Sequence, residues 1–161
     1  MRMTPSLRMS FLPLIDPAAR AAGTVNGDSF RRQDFRDAAT ALIIVRCGVI
    51  DGTQDVKLQD AADDGSGSPD TFADVTGLAM TQIAATGDAL VYVAEVDLLN
   101  SPDLREHIRP VLVDTGGSAS IVSVDMVLLD AKESTVHSAP GAVQVTEAGT
   151  APATIETLTA S

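Results

Sequence analysis

Residues 41–75 read ALIIVRCGVIDGTQDVKLQDAADDGSGSPDTFADV. An apolar run over 41–50 meets the dipeptide Asp51-Gly52. A strand follows in which Val56 and Leu58 alternate with Lys57 and Gln59, then an acidic, glycine-rich tip and a short extended run at 71–75. Apolar runs joined by Asp-Gly and Gly-Ser turns mark antiparallel hairpins, because these residues supply the left-handed backbone that tight turns need. The stretch predicts two hairpins in succession. It holds no arranged set of reactive groups, so the chain reads as a β scaffold that acts through its surface.

Period-two patterning extends this outward in both directions. Over 41–50, Ile43, Val45, Cys47 and Val49 fall on one face, with Leu42, Ile44 and Arg46 on the other. Over 90–98, Leu90, Tyr92, Ala94, Val96 and Leu98 oppose Val91, Val93, Glu95 and Asp97. Residues 108–114 and 120–129 complete the set, the latter with Val122, Val124, Met126 and Leu128 opposite Ile121, Ser123, Asp125 and Val127. One apolar and one wetter face per strand is what antiparallel sheets over a shared core require. Asp51-Gly52, Gly65-Ser66-Gly67, Gly87-Asp88 and Gly116-Gly117 punctuate the strands, and Gly116-Gly117 is expected to close a hairpin. The expected fold is an all-β antiparallel sandwich, jelly-roll or Ig-like, with extended N- and C-terminal arms. Residues 30–41 suit one or two helical turns, or a loop that sets Phe35 against the sheet.

The expected organisation is an N-terminal arm over 1–23, a sandwich over 24–130 and a low-complexity tail over 131–161. The tail, rich in Ser, Thr, Ala, Gly and Pro, cannot alone bury enough apolar surface to offset its ordering entropy. It is either mobile or adds strands to a neighbouring subunit. Val143 and Val145 alternate with Gln144 and Thr146 as an added strand would, which makes them expected subunit-interface residues.

Composition narrows the function. A chain of 161 residues with 45% apolar but only 3% aromatic content, no Trp and one Tyr builds its core from aliphatics and lacks stacking platforms for bases. Its net charge of −11 argues against nucleic acid as a partner. The charge is uneven, since residues 1–46 hold seven of the eleven basic residues and four acids. That asymmetry predicts an N-terminal segment docking on something acidic. The single cysteine, Cys47, lies in an apolar strand and is expected to be a buried, unreactive thiol. No apolar run is long enough to cross a membrane, and the N-terminus is a poor secretory signal, so the chain is expected to stay in the cell that makes it.

No chemical motif stands out. Asp60, Asp63, Asp64 and Asp70 suggest calcium, but Ala62 and Thr71 occupy positions where an EF-hand loop needs ligands, so a solvated hairpin tip is expected. His107 and His137 are too few for a multi-histidine metal site, and His107 is expected to be an exposed or satisfied surface group. There is no nucleophile elbow for a serine and no phosphate-binding loop. The expectation is a non-enzyme with no cofactor and no metal. Arg109 precedes Pro110, which removes a ladder donor, so an edge strand or bulge is expected there, with Arg109 pairing an acid across the sheet or a subunit interface.

The order of segments resembles a known family. DPAARAAGTVNG at 16–27, GVIDGT at 48–53, the hairpin VKLQDAADDG…TFADV with its insertion GSGSPD, VYVAEVDL at 91–98, REHIRPVLVDTGG at 105–117 and SIVSVDMVLL at 120–129 resemble small structural proteins of tailed bacteriophages. These are often encoded beside the major capsid protein. The resemblance implies a capsid decoration or cement protein without catalytic residues, located on the virion's outer surface and assembled in the host cytoplasm. Its implied partner is the major capsid protein, and a homotrimer is expected. Arg2, Arg8, Arg20, Arg31 and Arg32 are then the expected shell contacts, with Arg109, Val143 and Val145 at subunit interfaces. Alternatives are a tail-tube, tail-terminator or head–tail joining protein, or a glycan-binding spike module.

Overall fold

The structure is a computed structural model that describes residues 9–35, 38–98, 101, 103–130, 144–147 and 156–158. In chain order the strands are β1 (Met9–Arg20), β2 (Gly23–Asn26), β3 (Phe30–Arg31), β4 (Ala38–Cys47), β5 (Gln54–Ala61), β6 (Ala73–Ala79), β7 (Leu90–Asp97), β8 (His107–Asp114), β9 (Ser120–Asp130), β10 (Gln144–Glu147) and β11 (Glu156–Leu158). The helical turns expected over 30–41 reduce to one 3-10 turn, Arg32–Phe35. It sets the Phe35 ring edge-on to Phe30, with ring centroids 6.0 Å apart.

Two sheets pack face to face. The first runs β1-β9-β4-β7, with β10 and β11 on the far edge of β7; the second runs β2-β8-β5-β6, with β3 also on β8. All pairings are antiparallel except that of β11 with β7. The pairing is nested: β1 with β9, β2 and β3 with β8, β4 with β7, and β5 with β6. One long antiparallel ribbon folded over on itself pairs in this way, and it is the jelly roll. Ile43, Val45, Ala94, Val96, Val124 and Met126 of the first sheet meet Val56, Leu58, Leu78, Ile108 and Leu112 of the second in a single core. Burying each large aliphatic side chain there contributes about 1.5–3 kcal/mol.

The ribbon topology overturns two of the expected hairpins. β4 and β5 belong to different sheets, so Asp51-Gly52 turns a corner between layers. The Gly116-Gly117 connection does the same between β8 and β9. The two corners lie against each other and are stitched together. Ser118 N donates to Asp51 Oδ2 at 2.6 Å, Asp51 N to Ser120 Oγ at 3.0 Å, and Thr53 N to Thr115 Oγ1 at 3.0 Å. Among the described residues only β5–β6 is a local hairpin, and it carries the acidic tip as expected.

Three further expectations are corrected. Residues 9–20 are not a free arm. They form β1, which pairs along β9 and buries Leu14 and Ile15 in the core. Pro13 and Pro17 interrupt its period and coincide with two register shifts, which an edge strand tolerates because one side of its ladder is open. Second, β8 is central, not an edge, with β2 and β3 on one side and β5 on the other. Pro110 fits because β2 ends opposite Val111 and β3 begins opposite Ile108, leaving Pro110 where the neighbouring strand is interrupted. Its carbonyl still accepts from Gly27 N at 2.9 Å. Third, Val49 lies beyond the end of β4 and is 65% exposed, because the chain has already left the sheet for the Asp51-Gly52 corner.

Candidate functional site

Charged groups converge at the base of the β5–β6 hairpin, where they fasten it to its neighbours. Asp60, expected at the tip, is buried at the base. It accepts from Arg105 N at 2.8 Å and Arg105 Nε at 2.7 Å, while Arg105 Nη2 donates to the Asp60 carbonyl. Asp63 lies 3.1 Å from His107 Nε2 and 2.9 Å from Arg31 Nη2, and Arg31 Nε donates to Glu106 at 3.1 Å. His107 is 4% exposed: it is satisfied, as expected, but buried.

The outer carboxylates hold the turn. Asp63 Oδ1 accepts from Gly65 N and Gly67 N; Asp64 Oδ1 accepts from Ser66 N and Ser68 N. Short acidic side chains stabilise turns by bonding backbone donors a few residues on. Among the described residues no three His, Cys, Asp or Glu side chains are placed to hold a metal ion.

These bonds set a pH dependence. The His107 hydrogen bond, then the Gly65 and Gly67 amides and the Arg31 charge, hold the Asp63 carboxyl below the usual carboxylate range. The Ser66 hydroxyl and amide do the same for Asp64, and Lys57 and then Gln59 for Asp74. A carboxyl depressed in the folded state stabilises it above the unfolded value of about 3.9, and that contribution is lost as pH falls through the lower folded value. Amide shifts of Gly65 to Ser68 are therefore expected to titrate with the carboxyls of Asp63 and Asp64 on acidification. Shifts that follow only global unfolding would contradict this.

The arginines expected at the shell are engaged within the chain. Arg20 donates to the carbonyls of Val122 and Asp16, at 2.9 and 2.6 Å. Arg31 belongs to the Asp63–Glu106 cluster, and Arg32 donates to the carbonyls of Leu104 and Leu98. Arg20 thus braces β1 against β9, while Arg31 and Arg32 fasten neighbouring connections. Arg2 and Arg8 lie outside the described residues. Arg109 pairs within its own sheet: Nε and Nη2 donate to Gln59 Oε1 at 3.0 and 2.8 Å, and the guanidinium stacks 4.0 Å from the Phe72 ring centre. Val143 is outside the described residues, while Val145 sits in β10 opposite Tyr92 of its own chain.

A cleft of about 300 Å³ lies beside Phe30 and Phe35, walled by Arg32, Leu98, Leu104 and Glu106. Its Arg32 guanidinium is already taken up by the carbonyls of Leu104 and Leu98.

The more unusual surface is the outer face of the first sheet. Phe11, Val127, Leu42 and Glu95 lie in one row across β1, β9, β4 and β7; Pro13, Asp125, Ile44 and Val93 lie in the next. Phe11 is 52% exposed, and Ile121, farther along β9, is 41% exposed. Asp125 is covered by Arg46, which pairs with it at 2.9 Å. This face was expected to be the wetter one; it interleaves the aliphatics Leu42, Ile44 and Val93 with the charged Glu95, Asp125 and Arg46. The signal for its aliphatics was present in the runs ALIIV, LVYVA and MVLL, which are nearly continuous where a half-exposed strand would alternate.

Cys47 is buried against the core. Burial, and then the Asp88 charge, push its thiol up to about 11. Roughly one molecule in ten thousand then carries a thiolate at neutral pH. Modification by a thiol reagent is expected to run at least about 100-fold slower than for a free thiol until the chain unfolds. Fast labelling of the folded protein would contradict the buried assignment.

No protein-family model matches the chain, and no curated protein matches it. Solved structures overlap it in part. The SPBc2 prophage-derived protein YomS shares 12% identity at a TM-score of 0.46, covering 81% of this chain and all of that one. A structure of the infectious bursal disease virus Gx strain shares 13% at 0.45, covering 83% of this chain and 38% of that one. A structure from Bacillus endospore appendages, described as disulfide-linked pili, shares 6% at 0.41, covering 81% and 95%.

Proposed function

We propose that this chain is a structural protein of a tailed-phage virion, a decoration or cement protein bound to the major capsid protein on the outer face of the head. The observation that carries the proposal is the exposed Phe11 of the edge strand β1, in register with Val127 and Leu42 on the outer face of the first sheet. An exposed aromatic beside half-buried aliphatics on a sheet face suits an interface. The charged clusters point the same way, since their groups bond one another and fasten loops. The resemblance of segments 16–130 to phage structural proteins supports the choice of the major capsid protein as partner in this proposal.

The mechanism is linkage. A protein that bridges adjacent capsid subunits binds the assembled shell and not the separated subunits. It stabilises the shell by about 2.7 kcal/mol per site at a hundredfold excess over its Kd. In this proposal Arg2 and Arg8, ahead of β1, extend the contact toward acidic groups of the shell.

The test is thermal disruption of heads with and without added protein. The proposal predicts a disruption temperature that rises with protein concentration, and a smaller rise for Phe11→Asp, which places a charge on the docking face. A disruption temperature indifferent to the protein at saturating concentration overturns the proposal.

A further inference from the structure

The far edge of β7 is completed by the tail of the chain, in an arrangement that suits exchange between molecules. Residues Gln144–Glu147 pair antiparallel with Leu90–Val93, and residues Glu156–Leu158 pair parallel with Ala94–Val96. Two separate short pieces running in opposite directions therefore share one edge. Ladders of four and three residues are marginal by themselves. Without them β7 would present an open row of backbone donors and acceptors over 90–96, a template for an incoming strand.

The sandwich is complete without the tail. Among the described side chains, the core cluster ends at Leu128 in β9, and the four nested pairings of the jelly roll close without β10 or β11. The tail adds edge pairing to β7, outside the four nested pairings. The joint is also longer than the path within one molecule demands. Asp130 ends β9 beside Ala38, and Gln144 begins three strand positions away, opposite Val93. That path is roughly 25 Å, from strand spacing and rise. The thirteen residues 131–143 can span about 45 Å when extended. Loop length of this order adds little entropic bias toward either choice.

We infer that the β7 edge is a strand-acceptor site whose occupant in the assembled state is the tail of a second copy of this chain. Each molecule then donates Gln144–Glu147 and Glu156–Leu158 to a neighbour and receives the same strands in return, with Val145 opposite the partner's Tyr92 register position. A second copy is the fitting occupant because the complementary register is already written into the chain and satisfied by it. Exchange reuses the same hydrogen bonds and changes only which molecule supplies them. The inference does not depend on where the protein sits on a particle.

The test pairs Val91 with Thr146, which are direct partners across the β7–β10 ladder. Val91→Cys and Thr146→Cys are placed in separate chains, both carrying Cys47→Ala. The two are mixed, allowed to exchange and oxidised. Exchange predicts a disulfide joining two chains in the mixture, and a full chain that is oligomeric in light scattering. A chain ending at residue 130 should be monomeric with an unchanged circular dichroism spectrum. No linked pair in the mixture, with the doubly substituted chain closing on itself as a monomer, overturns the inference. Protein that closes on itself yet still raises the disruption temperature of heads would refute exchange while leaving the head assignment standing.

Discussion

Gly116→Ala is expected to leave little folded protein. A Cβ at Gly116 would sit 1.7 Å from the Asp51 carbonyl oxygen and 2.5 Å from its carbon, an overlap with backbone that no side-chain rotation relieves. Parting the corners to make room would break the Asp51–Ser118 and Asp51–Ser120 bonds that hold the two layers together at that end. The expected loss is on the order of 4 kcal/mol or more, a large share of the roughly 5–15 kcal/mol that stabilises a domain. Gly52→Ala should behave similarly, since Gly52 has φ of 81° and its Cβ would lie 2.5 Å from Gly116 Cα. Gly65→Ala is the control. It also has positive φ, 87°, but has nothing within 4 Å, so only the backbone term of about 1–2 kcal/mol applies. Urea unfolding midpoints of the three variants check this. Equal midpoints for Gly116→Ala and Gly65→Ala would mean that the two corners do not touch.

Deleting residues 1–20 is expected to unfold the domain, whereas deleting residues 1–8 leaves it intact. The longer deletion removes Leu14 and Ile15, 6% and 3% exposed, and strips β9 of one of its two partners along most of its length. Ile15→Ala alone should cost about 2–5 kcal/mol. The shorter deletion ends just before β1 and touches no residue of the core cluster. Circular dichroism and thermal melting of the two truncations check the pair. Under the proposed function the shorter truncation keeps its melting temperature but loses affinity for heads through the loss of Arg2 and Arg8. An unfolded chain after the shorter deletion, or a folded one after the longer, would overturn the placement of β1.

The parts of the fold that were legible in the sequence are those fixed by local pattern. Alternation placed Ile43, Val45, Val124 and Met126 on the core side, and the Gly65–Gly67 tip identified the one local hairpin. Pairing was not legible, because in a jelly roll the first strand meets the last and Asp-Gly serves a layer crossing as well as it serves a hairpin. Gly116-Gly117 was mistaken for the same reason: the need for glycine there comes from Asp51, distant in sequence but touching in space. The N-terminal segment was hidden by Pro13 and Pro17, which erase the period of an edge strand. Lys57–Asp74 and Arg109–Gln59 pair across neighbouring strands, so only the register reveals them. The aliphatics of the outer face could have been found, since Leu42, Ile44, Val91 and Val93 make their strands apolar on both sides. Arg31 and Arg32 could not have been identified as structural anchors, because their partners Asp63, Glu106, Leu98 and Leu104 come from other segments of the chain.

The account rests on a jelly roll that acts by covering a shell with one of its faces, and co-sedimentation tests this most directly. Purified protein is mixed with intact phage heads and, separately, with isolated phage tails, as the proposed function requires, and each pellet is imaged. The account predicts saturable recovery with heads alone, weakened by Phe11→Asp, with density repeating over the capsid lattice and the first sheet turned toward it. Protein left in the supernatant with heads, or recovered with tails as rings, would contradict it.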